Sequence, residues 1–154
     1  MLILAIDPGN VETAYVEYDT SHDEILGKAK ADNGFLRKYF YDNKGRYDKV
    51  VIEQIASYGM AVGETIFETC VWTGRFMEII GPGRCLRVKR QVIKLHHCQS
   101  PRAKDANIRQ ALIDRFGPPG TKNNPGKTYG VSKDIWAALA IATWYSDELK
   151  KIQS

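Results

Sequence analysis

The sequence of 154 residues lacks the features that mark several specialised classes of protein. No apolar run approaches the roughly 18 residues that a membrane-spanning helix needs, so we expect no membrane partner. The first segment, MLILAIDPGN, has neither a basic leading stretch nor a small-residue cleavage site, which favours a buried strand over a signal peptide. Internal repeats and linker-like segments are also absent. We therefore predict a single domain over 1–154.

Cysteine is scarce, and the three cysteines, at positions 70, 85 and 98, are far apart. Their odd number and wide spacing argue against a disulfide framework and favour reduced thiols. We therefore expect a cytoplasmic protein. The segment His96-His97-Cys98 has no second ligand pair at zinc spacing, so we expect no zinc site there.

A strong overall charge is missing too, since the formal net charge is only +4, but the positive charge is unevenly distributed. Twelve lysines and arginines lie between Arg84 and Lys133, where only Asp105 and Asp114 oppose them. Twelve against two gives +10 for this stretch, which leaves −6 for the remaining residues. Because binding a row of phosphates needs clustered lysine and arginine, this excess predicts a surface for a polyanion, with a solvated helix face as the alternative.

Hydrophobic patterning predicts an α/β domain with a mixed sheet. Short apolar runs, ended by turn signals such as Asp7-Pro8-Gly9-Asn10, predict strands at 2–6, 13–18, 24–31, 49–53 and 85–88. Helical spacing and capping residues predict helices within 33–47 and at 61–76, 89–97, 103–116 and 132–150. We expect Ser132 to cap the last helix and the Pro- and Gly-rich segment 118–130 to be a mobile loop.

Three acidic residues stand at the ends of apolar elements, where the backbone is fixed and the side chain can reach a cleft. Asp7 follows the first strand, Glu53 ends a second buried strand, and Asp134 opens the last helix. Such carboxylates are suited to clamping the two metal ions, about 4 Å apart, that hydrolyse a phosphodiester. Each acid alone has a simpler interpretation, as a turn former, an exposed edge residue or a complement to the helix dipole.

Several segments resemble a known family. AIDPGN at 5–10, VVIEQ at 50–54 and SKDIWAALAIA at 132–142 resemble, in the same order, the three acidic motifs of RuvC-type Holliday-junction resolvases. RVKRQVIKL followed by SPRAKDANIRQAL resembles the basic segment before the family's last helix. KDANIRQAL looks closest to phage-encoded members, which would make the expected compartment the host cytoplasm. The resemblance implies an RNase H-like fold, with a five-stranded mixed sheet flanked by helices. It also implies a homodimer that uses Mg²⁺, replaceable by Mn²⁺, to make paired nicks across a four-way DNA junction.

The resemblance assigns metal binding and catalysis to three acids, Asp7, Glu53 and Asp134. The family usually has a further aspartate three residues after the last of these, where this chain has Ala137. Asp105 is our candidate for the missing catalytic carboxylate. A helix-surface salt bridge between Asp105 and Arg102 or Arg109 is the alternative.

Other residues of the same segments are candidates for contacts with DNA. We expect contacts to the scissile phosphate or its neighbours, with Lys104 also counted as catalytic, from Arg102, Lys104 and Lys133. We expect a grip on the duplex arms from Lys89, Arg90 and Lys94. Tyr58 and Met60, in the loop after Glu53, are candidates for stacking on or wedging into bases, with a core position as the alternative for Tyr58.

One helix carries more apolar residues than a single sheet face needs. We interpret the extra stripe as a dimer contact, formed by Phe67, Val71, Trp72 and Phe76. The resemblance supports this interpretation.

The leading functional hypothesis is a metal-dependent, structure-selective DNA endonuclease acting on four-way or branched junctions. One alternative is a broader RNase H-like nuclease that cuts other branched DNA or RNA–DNA hybrids with the same acids. Another is a junction-binding protein without catalysis, which Ala137 motivates. An ATPase of the actin-like fold is excluded, because its second nucleotide-binding domain does not fit within 154 residues.

Overall fold

A computed structural model, which describes every residue from 1 to 154, contains one five-stranded sheet with helices on both faces. The strands are β1 Leu2–Asp7, β2 Glu12–Asp19, β3 Glu24–Asp32, β4 Lys49–Gln54 and β5 Cys85–Lys89. The sheet order is β3-β2-β1-β4-β5. Strand β2 is antiparallel to both β3 and β1, whereas β4 is parallel to both β1 and β5. The mixed sheet expected from the sequence is confirmed.

Five α-helices connect and cover the strands. They are α1 Asn33–Asn43, α2 Glu64–Ile80, α3 Arg90–Cys98, α4 Asp105–Phe116 and α5 Ile135–Gln153, with short 3-10 turns at Lys44–Arg46 and Pro82–Arg84. None of the helices combines the length and the apolar character that crossing a membrane would demand.

Alternation along the strands divides the core into two clusters, one on each face of the sheet. In β1, Ile3 and Ala5 point to the face covered by α3, α4 and α5, whereas Leu4 and Ile6 point to the face covered by α1 and α2. In β4, Ile52 lies on this second face. Because successive side chains alternate, the residues that follow Ile6 and Ile52 point to the α5 face.

Two helices have bounds that differ by three or more residues from the predicted ones. Helix α2 begins at Glu64 and continues to Ile80. Its last turn extends the apolar pattern beyond 76, and Ile80 itself is buried. Helix α5 begins at Ile135 with Asp134 as its N-cap, so the prediction that Ser132 caps it was wrong. Lys133 has φ of +48°, in the left-handed region, which separates Ser132 from the helix.

The segment 118–130, predicted to be a loop, contains a hydrogen-bonded turn. The backbone N–H of Thr121 donates to the carbonyl of Asn124, and that of Asn124 donates to the carbonyl of Thr121, both at 3.1 Å. Gly120 and Pro125 form an antiparallel bridge beside this turn. Gly120 has φ of +77° and a side chain there would collide with backbone atoms, so glycine is required.

Candidate metal centre

Asp7 and Glu53 lie side by side at one edge of the sheet. The parallel pairing of β1 and β4 aligns Ile6 with Ile52, so the next residue of each strand reaches the same edge. Asp7 is 7% exposed and Glu53 is 6% exposed. Two neighbouring carboxylates are therefore buried on the α5 face, at the carboxyl ends of adjacent parallel strands.

Three helices begin at this same edge, and each has a charged residue at its start. Arg90 is the first residue of α3, Asp105 is the first residue of α4, and Asp134 is the N-cap of α5. All three line one open cavity, together with Lys133 and Ala137. Strand ends and helix starts thus assemble four carboxylates, the acid cluster, which consists of Asp7, Glu53, Asp105 and Asp134.

The Arg90 side chain lies within the acid cluster. Its Nε is 2.8 Å from Oε1 of Glu53, and its two terminal nitrogens are 3.7 Å from Oδ1 of Asp7 and 3.5 Å from Oδ1 of Asp105. The sequence predicts that Arg90 grips the duplex arms, whereas the structure places it in ion pairs with three acids. The sequence feature that indicates this placement is the position of Arg90 directly after β5, because the carboxyl end of β5 lies at the same sheet edge as that of β4.

A lysine makes the corresponding contact with the fourth acid. Nζ of Lys30, on the edge strand β3, is 2.7 Å from Oδ2 of Asp134. The Asp134 side chain is 54% exposed, in contrast to the buried Asp7 and Glu53. Lys30 was not identified from the sequence, because only the sheet order brings β3 close to the start of α5.

Among the groups in direct contact with one another, negative charge exceeds positive charge. Burial, followed by repulsion from Glu53, raises the pKa of Asp7 well above its usual range. Arg90 lowers the pKa of Asp7 in part, whereas Asp134 and Asp105 raise it further. The four carboxylates contact only two cations, Arg90 and Lys30, so a divalent ion could neutralise the remaining charge. Their hard oxygen donors fit Mg²⁺ or Mn²⁺.

The carboxylates of the acid cluster are still spaced more widely than a ligand set. No three of them bring one oxygen each within 4.8 Å of one another, whereas Asp19, His22 and Glu24 do. This second group is solvent-accessible and lies at the opposite end of the sheet, because Asp19 pairs with Leu2 at the start of β1. Exposed acidic groups are common without an ion, so it is no second candidate.

A buried hydrogen-bond network fixes the turn that follows Asp7. Oγ1 of Thr13 donates to Oδ1 of Asn33 at 2.6 Å, and Nδ2 of Asn33 donates to the carbonyl of Gly9 at 2.9 Å. The N–H of Gly9 donates back to Oγ1 of Thr13 at 3.2 Å. A Cβ on Gly9 would lie 2.1 Å from the carbonyl oxygen of Glu12, so only glycine permits this turn. Sequence reasoning missed Asn33, which reaches this turn from the start of α1.

Solved structures resemble this fold over almost the whole chain. No protein-family model and no curated protein matches the sequence. RuvC of Thermus thermophilus superposes with a TM-score of 0.72 at 14% identity, covering 96% of each chain. The complex of T. thermophilus RuvC with a Holliday junction substrate superposes with a TM-score of 0.71, at the same identity and coverage. The chain has a RuvC-type fold. The RNase H-like architecture implied by the motifs is thereby confirmed.

Around the acid cluster of this RuvC-type fold, an exposed lysine precedes each charged residue at a helix start. Lys89 precedes Arg90, Lys104 precedes Asp105, and Lys133 precedes Asp134. None of the three lysines has an acidic partner. The candidates Lys89, Lys104 and Lys133 therefore surround the acids with unpaired positive charge.

The remaining candidates lie in different environments. Arg102 is exposed before α4, and Lys94 is half-buried in α3. Tyr58 is 45% exposed with φ of +51°, so the alternative of a core position was wrong. Asp105 pairs with Arg90, so the alternative of a salt bridge to Arg102 or Arg109 was wrong as well.

The apolar stripe of α2 is divided between the core and the surface. Phe76 is fully buried in the cluster on the α1–α2 face, and Trp72 packs partly against it. Phe67 is 59% exposed and Val71 is 51% exposed. The interpretation of all four residues as a dimer contact was therefore wrong for Phe76. Trp72 is half-buried, and Phe67 and Val71 are the two exposed members of the stripe.

Proposed function

We propose that this protein is a Mg²⁺-dependent endonuclease that resolves four-way or branched DNA junctions by paired nicks. The observation that carries the proposal is the meeting of four carboxylates at one edge of a RuvC-type sheet. The solved complex of T. thermophilus RuvC with a Holliday junction substrate supports a junction as the DNA to test. Mn²⁺ is expected to replace Mg²⁺, because both ions prefer carboxylate oxygens.

Asp7, Glu53 and Asp134 would hold the metal, with Asp105 as the fourth candidate. Bound there, the ions would supply charge neutralisation at the phosphate, a hydroxide nucleophile and stabilisation of the leaving alkoxide. The chain's own contribution is positional. Burial of Asp7 and Glu53 at strand ends fixes two carboxylates and limits the access of water around them.

Unpaired lysines supply the phosphate contacts in this proposal. Lys133 lines the cavity and the exposed Lys104 directly precedes Asp105, so we assign both, with Arg102, to the scissile phosphate and its neighbours. We assign Lys89 and Lys94 to the duplex arms, since they lie before and within α3. Tyr58, exposed in the loop after β4, is positioned to stack on unpaired bases at the crossover.

We further propose that the protein acts as a homodimer, because paired nicks across a two-fold symmetric junction need two related sites. Phe67 and Val71 are exposed on neighbouring turns of α2 and form the proposed contact. We expect Val71→Glu to shift a dimer to monomer in sedimentation at tens of micromolar protein. Leu26→Glu, at an equally exposed apolar position on β3, is the control and should leave the dimer intact. A wild-type protein that sediments only as monomer would contradict the proposal.

Ala137 and Asp105 give a direct test of the metal ligands. Both line the cavity with Asp134, so Ala137→Asp adds a carboxylate to the site. We expect Ala137→Asp to lower the Mg²⁺ concentration for half-maximal nicking, and Asp105→Asn to raise it by about tenfold or more. Asp114→Asn, on the same helix and away from the cavity, is the control and should have no effect. Unchanged Mg²⁺ dependence in both variants would mean that three carboxylates complete the site.

The function itself is tested by nicking of a synthetic four-way junction, linear duplex DNA and an RNA–DNA hybrid, each with and without Mg²⁺. We expect opposed nicks in the junction alone and only in the presence of the ion. Equal cutting of the hybrid would favour a broader RNase H-like nuclease. Junction binding without cutting at any Mg²⁺ or Mn²⁺ concentration would favour a binding protein with an inactive site.

A further inference from the structure

Arg90 contacts the same carboxylate oxygens that a metal ion would need. Its guanidinium reaches Glu53, Asp7 and Asp105 at 2.8, 3.7 and 3.5 Å. Two of these acids are almost fully buried, whereas the Arg90 side chain keeps 36% of its surface exposed. The positive charge therefore lies at the mouth of the acid cluster, between its buried and exposed members.

A guanidinium in this position cannot step aside by losing its proton, because arginine stays charged at any physiological pH. A divalent ion bound to the same oxygens would meet the full positive charge at close range. The arginine spans three of the carboxylates, and no three of the four bring one oxygen each within 4.8 Å of one another. Metal and Arg90 are thus competitors for Glu53 and Asp7.

We propose that Arg90 is a resident counter-ion, which stabilises the acid cluster in the absence of metal and is displaced from Glu53 when a divalent ion binds. The proposal rests on the metal-dependent function above and adds a control on loading of that site. Without metal, the ion pairs compensate the repulsion between Asp7 and Glu53 in a buried environment. With metal, the ion takes over this compensation.

Displacement also gives Arg90 a second role. Arg90 lines the open cavity together with Lys133, where a phosphate would lie close to the acids. A released guanidinium is well suited to such a phosphate, because its planar fork binds two phosphate oxygens at once. Metal binding and DNA binding should then strengthen each other, because each one favours the released conformation of Arg90.

The test is Mn²⁺ binding to the full-length protein without DNA, followed by electron paramagnetic resonance, together with thermal melting. We expect Arg90→Gln to bind Mn²⁺ at least about tenfold more tightly than wild type, because the competing charge is gone. Its melting temperature without metal should fall, and its gain on adding Mn²⁺ should exceed that of wild type. Arg87→Gln, which removes the same charge from an exposed residue of β5 without an acidic partner, is the matched control and should change Mn²⁺ affinity by no more than about twofold.

Equal or weaker Mn²⁺ binding by Arg90→Gln would overturn the inference. If Arg90→Gln is unfolded without metal, Arg90→Lys provides the test, since lysine keeps the compensating charge but its single ammonium cannot span the three carboxylates that Arg90 contacts. Arg90→Lys should still bind Mn²⁺ more tightly than wild type, and an unchanged affinity would overturn the inference.

Glu53→Gln separates the two proposals. If it abolishes Mn²⁺ binding while the Arg90 variants bind as wild type does, the metal centre stands and the counter-ion role fails. If no variant and no wild-type protein binds Mn²⁺, both fail.

Discussion

Replacing Asp7 by asparagine, or Glu53 by glutamine, is expected to reduce cutting of a four-way junction by about a thousandfold or more. Both carboxylates are buried at the sheet edge and contact no basic residue other than Arg90, so their proposed role is to bind metal. Binding of the junction should persist or tighten, because the change removes negative charge near the DNA phosphates. Cutting and binding are measured on the same labelled junction.

The amide variants should also remain folded, which makes the loss of activity interpretable. Burial and the repulsion from Glu53 raise the pKa of Asp7, so the charged form of this residue is disfavoured in the metal-free protein. A neutral amide of the same shape removes that unfavourable charge. Asp19→Asn, at the opposite end of the sheet, is the control and should cut at the wild-type rate. If either amide variant cuts at a rate within about tenfold of wild type, the proposed role of these acids in binding metal is contradicted.

The positions of Asp7 and Glu53 could be predicted from the sequence because they depend on local patterns. An apolar run that ends in an acid predicts a strand with a carboxylate at its end, and parallel neighbours bring such ends to one edge. The position of Arg90 directly after β5 is also a local signal, but it points to this edge only once β5 is known to lie beside β4. Neighbours in sequence suggested Arg102 and Arg109 as partners of Asp105, whereas the actual partner comes from another element.

The error in α2 has a different physical cause. Apolar residues occur all around this helix, so periodicity alone did not show which side packs on the sheet. Thr69 and Thr73 are on the buried side, where their hydroxyls donate to the carbonyls of Thr65 and Thr69 at 2.9 Å each. These bonds satisfy the hydroxyls within the helix, so threonine is tolerated in the core. Phe76 shares that side and is therefore unavailable to a partner.

Affinity for the junction is expected to fall by about a thousandfold between 50 and 200 mM salt, which corresponds to a slope near −5 in a plot of log K against log salt. Twelve lysines and arginines lie between 84 and 133, but Arg90 and Arg115 are in ion pairs within the fold, which leaves ten without an acidic partner. If about six of these ten contact phosphates, counterion release gives the stated slope. The measurement is a binding titration on an uncleaved junction in Ca²⁺ or with Glu53→Gln.

The three lysines that precede the helix starts should account for about half of this dependence. Replacing Lys89, Lys104 and Lys133 together by glutamine is expected to reduce the slope by about 2.7, because each phosphate contact contributes about 0.9. Lys151→Gln is the control, since Lys151 lies near the end of α5 and pairs with Glu148 at 2.9 Å, and it should leave the slope unchanged. A nearly flat plot for the wild-type protein would contradict a phosphate-binding surface between 84 and 133. If the wild-type plot is steep and the triple replacement leaves its slope unchanged, the phosphate-binding surface must lie away from the acid cluster. The reason is that these three lysines are the unpaired cations that surround the cluster.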